Sequence, residues 1–274
     1  MAQASVVDVG PKMETAKLDD DGKREGTQAI RRAAAILKSI ARGPKNGMTL
    51  RDVSEAMELS RSTAHRILKC LLDERVIDYS ESSRRYVIGD LTFELGLAAT
   101  SHQREIVQWR PTIDAIAGTT GATVYLMGRS GNESVCLCKA EGSSVVRVIP
   151  VEVGQRRPLG VGAGATALLA AASDEDCESV LSAIASSLDA YPRLSVARIR
   201  CNIEAARRTG FAESCGSVVE GVYGLGVAIP AIRGPATLAV SLAAHESLTS
   251  ADTTAAWKRQ VAKLLKAATA SGSP

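Results

Sequence analysis

Aromatic side chains are scarce, with Phe, Trp and Tyr together making up 3% of the 274 residues. Any core must therefore be packed from Ala, Val and Leu. An excess of one charge is missing too: 33 Lys and Arg stand against 30 Asp and Glu, a net +3. That balance names no partner, so a case for nucleic acid must rest on where the basic residues sit. The six cysteines contain no C-x-x-C pair. Cys70 falls on a helical pattern and Cys136 and Cys138 alternate along a strand pattern, so neither a metal cage nor a disulfide framework is expected. No charged-then-apolar leader and no long apolar run is present, which points to a soluble, cytoplasmic chain with no membrane partner. No internal repeat is visible, and the length suits two domains.

What is there centres on Thr49–Leu72, TLRDVSEAMELSRSTAHRILKCLL. Thr49 with Asp52 three residues on approximates a capping box, and Leu50, Val53, Ala56 and Met57 fall on one helical face. Leu59 plugs the corner and Ser60 can cap a second helix. In that helix Ala64, Ile67, Leu68 and Leu71 make an apolar stripe, while Arg61, Ser62, His65, Arg66 and Lys69 occupy the other side. An apolar back with a short cationic front suits the major groove, where Arg forks to guanine and the first turn meets the bases. Ser60, Arg61, Ser62, Thr63, His65 and Arg66 are the candidate DNA contacts. A plain helical hairpin with a solvated face is the competing reading.

Residues 1–26 are polar and aperiodic and read as a disordered tail. From Thr27, Ile30, Ala33, Ala34, Leu37 and Ile40 repeat at helical spacing up to Gly43-Pro44, predicting a helix packed behind the hairpin. After the second helix, Val76–Tyr79 and Tyr86–Ile88 flank SESSRR and predict a β-hairpin. Helix, two-helix turn and hairpin make a winged helix-turn-helix over residues 27–89, with Arg84 and Arg85 at the wing tip placed for a DNA backbone or minor groove.

Residues 90–104 are expected to form a linker helix and 105–270 a second domain. There the period becomes two: Ala122–Gly131, Ser134–Ala140 and Ser143–Val153 read as an antiparallel meander. Three helical runs follow, then strands within Phe211–Val218, Gly224–Ile232 and Ala236–Ala244, with Arg233-Gly234-Pro235 as a turn and a last helix over Thr253–Ala268. The fold class is α+β with a central antiparallel sheet.

The run after Pro158, GVGAGATALL, is the chemically informative part of this half. Glycines at a helix start let backbone approach a ligand, and the helix N-terminus favours an anion. GVGAGA also fits a dinucleotide fingerprint, but that motif needs a second strand after the helix, and DEDCESVLSAI reads as another helix. The glycines can equally serve only helix–sheet packing. Tyr125, Met127 and Cys136 are candidate apolar walls. Cys215 as a catalytic thiolate would need a base, and His245 is the sole histidine outside the DNA half and connector, so no triad is organised.

TLRDVSEAMELSRSTAHRIL, TTGATVYLMGRSG, VGQRRPLGVGAGATALLAA, RRTGFAES, GVYGLGVAIP and TLAVSLAA together resemble the IclR family of bacterial transcriptional regulators. Two positions depart from its pattern: Arg75 stands where the family has glycine after the recognition helix, and Ala228 where it often has proline, with Pro230 nearby. The resemblance implies an N-terminal winged helix-turn-helix joined by a linker helix to a GAF-like antiparallel-sheet effector domain. It further implies a repressor or activator binding double-stranded operator DNA as a homodimer or dimer of dimers. A small organic or aromatic acid would be sensed by Gly162, Ala163, Gly164, Cys215, Glu220 and Ser241. No cofactor and no enzymatic activity are expected. The alternative is a small-molecule-processing enzyme with an accessory winged helix, and a third reading is a protein-interaction module.

Overall fold

A computed structural model of the chain describes residues 25–144, 148, 151–231 and 234–271, without the side chains of 25, 26, 100–102 and 271. The expected tail lies outside these residues, apart from its last two positions. So do most of the middle of the strand expected at Ser143–Val153 and part of the turn at Arg233. The chain divides into two compact units, Met1–Thr100 and Ser101–Pro274.

The first unit is built from α1 (Glu25–Arg42), α2 (Leu50–Ala56), α3 (Arg61–Asp73), the hairpin β1 (Ile77–Ser80) and β2 (Arg85–Ile88), and α4 (Asp90–Ala98). Its core gathers Ile36, Ile40, Val53, Ala64, Leu68, Leu71, Ile77 and Tyr86. The buried face of α1 differs from the expected one. Ile36 is fully buried, whereas Ile30 is 70% exposed, so the inward stripe runs through Ala33, Ile36, Leu37 and Ile40.

Both helix starts in the middle of this unit are chemically fixed. Thr49 and Asp52 make the reciprocal capping box, and the Ser60 hydroxyl accepts from the Thr63 N–H. The end of α3 is a Schellman turn: Val76 N–H donates to Leu71 C=O at 3.0 Å and Arg75 N–H to Leu72 C=O at 2.8 Å. That turn demands a left-handed residue, and Arg75 supplies it at φ 57°. The departure from glycine noted in the sequence therefore leaves the turn geometry intact, at the cost of a strained side-chain-bearing residue. α4 buries none of its residues, and Phe93, Leu95 and Leu97 are exposed.

The second unit holds α5 (Thr100–Thr120), β3 (Thr123–Ser130), β4 (Glu133–Ala140), β5 (Arg156–Pro158), α6 (Ala163–Ala170), α7 (Asp174–Ile184), α8 (Val196–Thr209), β6 (Ala212–Cys215), β7 (Val222–Ile229), β8 (Leu238–His245) and α9 (Ala251–Ser271). The helix expected from Asp90 is interrupted at Ala99, with α5 running on from Thr100 through Pro111. The sheet is antiparallel throughout, in the order β5-β4-β3-β8-β7-β6. Among the described residues the short β5 forms one edge.

Two apolar clusters cover the two sheet faces. Trp109, Ile113 and Ile116 of α5 and Trp257, Val261 and Leu265 of α9 pack on Val124, Leu126, Val240 and Leu242. Leu168, Leu169, Leu181 and Ile199 of α6, α7 and α8 pack over Tyr125, Met127, Ala239 and Ala243. One β-bulge matters for this division. Met127 pairs with Cys136 while Leu126 pairs with Cys138, leaving Leu137 unmatched. The extra residue breaks the alternation, so Cys136 joins one cluster and Cys138 the other.

Candidate functional site

The solvent side of α3 carries Arg61, Ser62, His65, Arg66 and Lys69, all exposed. Ala64, Leu68 and Leu71 anchor the opposite side in the core. No ion pair engages Arg61, His65 or Arg66 among the described residues. The first turn of α3 contains no acidic residue, although a carboxylate there would favour the helix dipole. An arginine at the first helical position, beside free N–H groups, instead makes this end attractive to phosphate. Ser60 and Thr63 are partly occupied by the cap itself, with their hydroxyls 2.9 Å apart.

The wing tip is narrower than SESSRR. Arg84 sits in the turn, exposed, at φ 53°. Arg85 lies inside β2 and donates from Nη1 to the Gly47 C=O at 2.7 Å, with Asp52 Oδ2 at 3.9 Å. It thus ties the wing to the loop before α2, together with the paired backbones of Met48 and Tyr86. The geometry favours Arg84 as the outward-facing wing cation and gives Arg85 a structural task.

In the second unit a recess of about 550 Å³, open mouth included, lies at the N-terminus of α6. Small residues create it. Across one row of the sheet Gly226 pairs with Ser241 and Ser241 with Tyr125. A Cβ on Gly226 would stand 2.3 Å from the Ala163 C=O, and one on Gly164 would stand 2.9 Å from both Met127 Cγ and Ser241 Cβ. Close helix–sheet packing therefore leaves no room for a Cβ at Gly164 on the helix or at Gly226 on the sheet. Gly162 differs: it caps α6 at φ 91° with no side-chain cap, and among the described residues only Arg157 and Val218 come within 4.0 Å of a Cβ placed there. Its backbone conformation and open surroundings leave the first N–H groups of α6 facing the recess. The other end of α6 is satisfied, since Arg207 donates to Ala170 C=O and Ala172 C=O and the Cys177 thiol to Leu169 C=O.

Among the described residues, every side chain lining the recess is uncharged except Arg157. Burial draws the Arg157 guanidinium pKa below its ordinary value. Tyr125, which also lines the recess, has its phenol pushed far above the usual range, first by burial. Of the residues expected from the sequence, Gly162, Ala163, Gly164 and Ser241 come together here. Cys215 and Glu220 are not part of the lining. On β6 it is Ser214 that faces the recess, so its neighbour Cys215 points away. Partial burial and the carboxylates of Glu246 and Glu213 raise the Cys215 thiol pKa, the opposite of an activated nucleophile. Glu220 is exposed and bound to Arg193 at 2.8 Å. His245 spends Nδ1 on Ser247, at 2.8 Å from its hydroxyl. Cys136 is buried in the cluster beside Tyr125 and Met127 but stays behind the wall.

Arg157 and Ser214 were not singled out from sequence. No local signal marks them: Arg156 turns to Glu133 at 3.0 Å, a partner 23 residues earlier, and that sends Arg157 to the other face. No group of His, Cys, Asp and Glu able to hold a metal exists among the described residues. No described helix is long and apolar enough to cross a membrane.

Comparison with known proteins agrees with both units. Residues 98–271 match the domain family described as "Bacterial transcriptional regulator IclR C-terminal", and residues 29–81 match the "IclR helix-turn-helix domain". The HTH-type transcriptional repressor AllR of Salmonella paratyphi A is 26% identical over 233 residues, covering 84% of each chain. The crystal structure of an IclR transcriptional regulator from Alicyclobacillus acidocaldarius superposes with TM-score 0.73 at 22% identity, over 89% of this chain and 98% of that one. An IclR homologue of Microbacterium hydrocarbonoxydans, complexed with 4-hydroxybenzoate, gives 0.69 at 19% identity, over 88% and 99%. With its domain matches spanning a winged helix-turn-helix and most of a second, sheet-based domain, this chain belongs to the IclR family of bacterial transcriptional regulators, which are not enzymes.

Proposed function

We propose that this chain is a cytoplasmic repressor whose residues 27–89 grip operator DNA, whose residues 90–104 connect, and whose residues 105–270 answer a small organic or aromatic acid. Repression is the activity named for its AllR relatives, and a bound aromatic acid is named for a structural neighbour. On DNA, α3 enters the major groove with Arg61, Ser62, His65 and Arg66 forward. Thr63 and Ser60 hold the first turn in shape, and Arg84 reaches from the wing. The apolar, exposed Phe93, Leu95 and Leu97 of α4 are the surface on which a second copy docks, because a helix with no buried residue gains little stability alone.

The observation carrying the effector reading is the recess itself: an uncovered helix N-terminus, Ser241 and one arginine, with no carboxylate among the described lining residues. Gly162, Ala163 and Gly164 offer backbone N–H groups to the acid and Ser241 its hydroxyl. A ligand bound more tightly by one arrangement of the dimer shifts the population between arrangements and so the affinity for DNA.

The test is fluorescence anisotropy of the full chain on the DNA upstream of its own gene, over a series of salt concentrations. Arg61→Ala is expected to lose specific affinity by roughly 1–3 kcal/mol while keeping its oligomeric state. Full specific affinity in that variant removes Arg61 as a reader. Salt-independent binding removes the DNA reading of α3 altogether.

A further inference from the structure

We infer that Tyr125 contacts the effector, and that the effector is an organic acid carrying a second hydrogen-bond acceptor rather than a plain alkyl or aryl monocarboxylate. This rests on the effector reading of the recess given above.

Buried hydroxyls nearly always have a partner. Tyr125 is 2% exposed, and its hydroxyl is the one buried side-chain oxygen or nitrogen without a partner among the described residues. Its position is not arbitrary. Tyr125 is the cross-strand neighbour of Ser241, which in turn neighbours Gly226. The same row of the sheet thus offers a bare backbone, a hydroxymethyl and a phenol, directly below the start of α6. Gly164 of α6 lies against Ser241, and Arg157 Nη1 is 3.8 Å from where a Gly162 Cβ would stand. The acid end of a ligand has its place there, between helix N-terminus and guanidinium.

Tyr125 supplies a further polar point on the same wall. Its phenol keeps its proton in this environment, so it acts as a donor, and the matching ligand group is an acceptor such as a carbonyl or a second carboxylate. A ligand presenting only alkyl or aryl carbon at that point leaves the hydroxyl unpaired. Sites built to satisfy a buried hydrogen-bonding group discriminate strongly against analogues that lack the complement.

The test uses the full chain and matched acids: succinate against butyrate, and 4-oxopentanoate against pentanoate, by thermal shift and calorimetric titration at equal ionic strength. In the natural protein the acceptor-bearing acid of a pair should bind about tenfold more tightly. Tyr125→Phe should bring the two members within roughly twofold, by weakening the acceptor-bearing acid alone. The unliganded Tyr125→Phe protein should melt at the same or a higher temperature, because an unpaired buried hydroxyl is removed. A variant that keeps the discrimination, or natural protein preferring the plain acid, overturns the assignment of Tyr125 and leaves the recess reading standing. A lower melting temperature with unchanged acid binding means that the hydroxyl holds an internal water, which also overturns it. If neither acid of any pair binds, the effector reading and this inference fall together.

Discussion

Replacing Arg75 by glycine should stabilise the N-terminal unit. Arg75 occupies the left-handed position of the Schellman turn after α3, at φ 57°. For a residue with a Cβ that conformation costs roughly 1–2 kcal/mol. Glycine removes the strain but loses about 0.4–1 kcal/mol through its freer unfolded chain. The side chain also gives up its pair with Glu94, 3.3 Å apart with both partners more than half exposed, which is worth a few tenths of a kcal/mol at most. The balance is a gain of about 0.5–1 kcal/mol. Arg75→Ala keeps the strain and drops the pair, so it should fall slightly below the natural protein, with the glycine variant above it by roughly 1 kcal/mol. Trp109 and Trp257 both lie in the second unit, so tryptophan fluorescence does not read this change. Native-state hydrogen exchange at Leu68 and Leu71 does, and protection there should rise severalfold in the glycine variant. Alanine and glycine variants of equal stability would refute the strain argument. A glycine variant less stable than alanine would mean that the turn relaxes elsewhere.

Other outcomes follow from contacts already described. Gly226→Ala should displace the start of α6, because its Cβ would stand 2.3 Å from a backbone oxygen. We expect a loss of about 1–3 kcal/mol in urea unfolding together with loss of acid-induced thermal shifts. Cys215→Ser should leave both DNA affinity and acid response at natural levels, since the thiol does not line the recess; an altered acid response would restore it as a contact. The Asp176 carboxyl is held below its ordinary pKa, chiefly by hydrogen bonds from Arg129. A depressed folded-state pKa stabilises above the unfolded value and is lost as pH falls through the folded one. The stability gap between natural protein and Arg129→Leu should therefore be full at pH 6 and shrink below about pH 4, read by urea midpoints across that range.

Much of the DNA-binding half was legible because its signals are local. Thr49, Asp52 and Ser60 announce two helix starts by the hydrogen bonds they make within three residues, and the apolar stripe of α3 follows the helical period without interruption. The failures share a different physics. On α1 an alanine-rich run leaves the period ambiguous, so Ile30 and Ile36 are equally plausible inward residues until tertiary packing selects Ile36. Arg85 fits a turn by composition, but its guanidinium is claimed by Gly47, 38 residues earlier in the chain. In the second half, one-residue parity decides which side chains enter the recess. Ser214 against Cys215, and Arg157 against Arg156, are settled by where pairing begins on β6 and β5, which no local pattern records. The glycine-rich run marks the start of α6, where the recess lies, yet does not say which glycine serves packing and which leaves the helix start open.

The unmatched Leu137 has a consequence for how this half can vary. Deleting it would make Cys136 and Cys138 consecutive and restore strict alternation along β4, with Cys136 still opposite Met127 and Cys138 still opposite Leu126. Both cysteines, the ion-paired Glu133 end and Ala140 would keep their present faces, and only the local bend and added twist of the bulge would be lost. A single codon lost here should thus be better tolerated than one lost within β8, whose pairing with both of its neighbours has no spare residue.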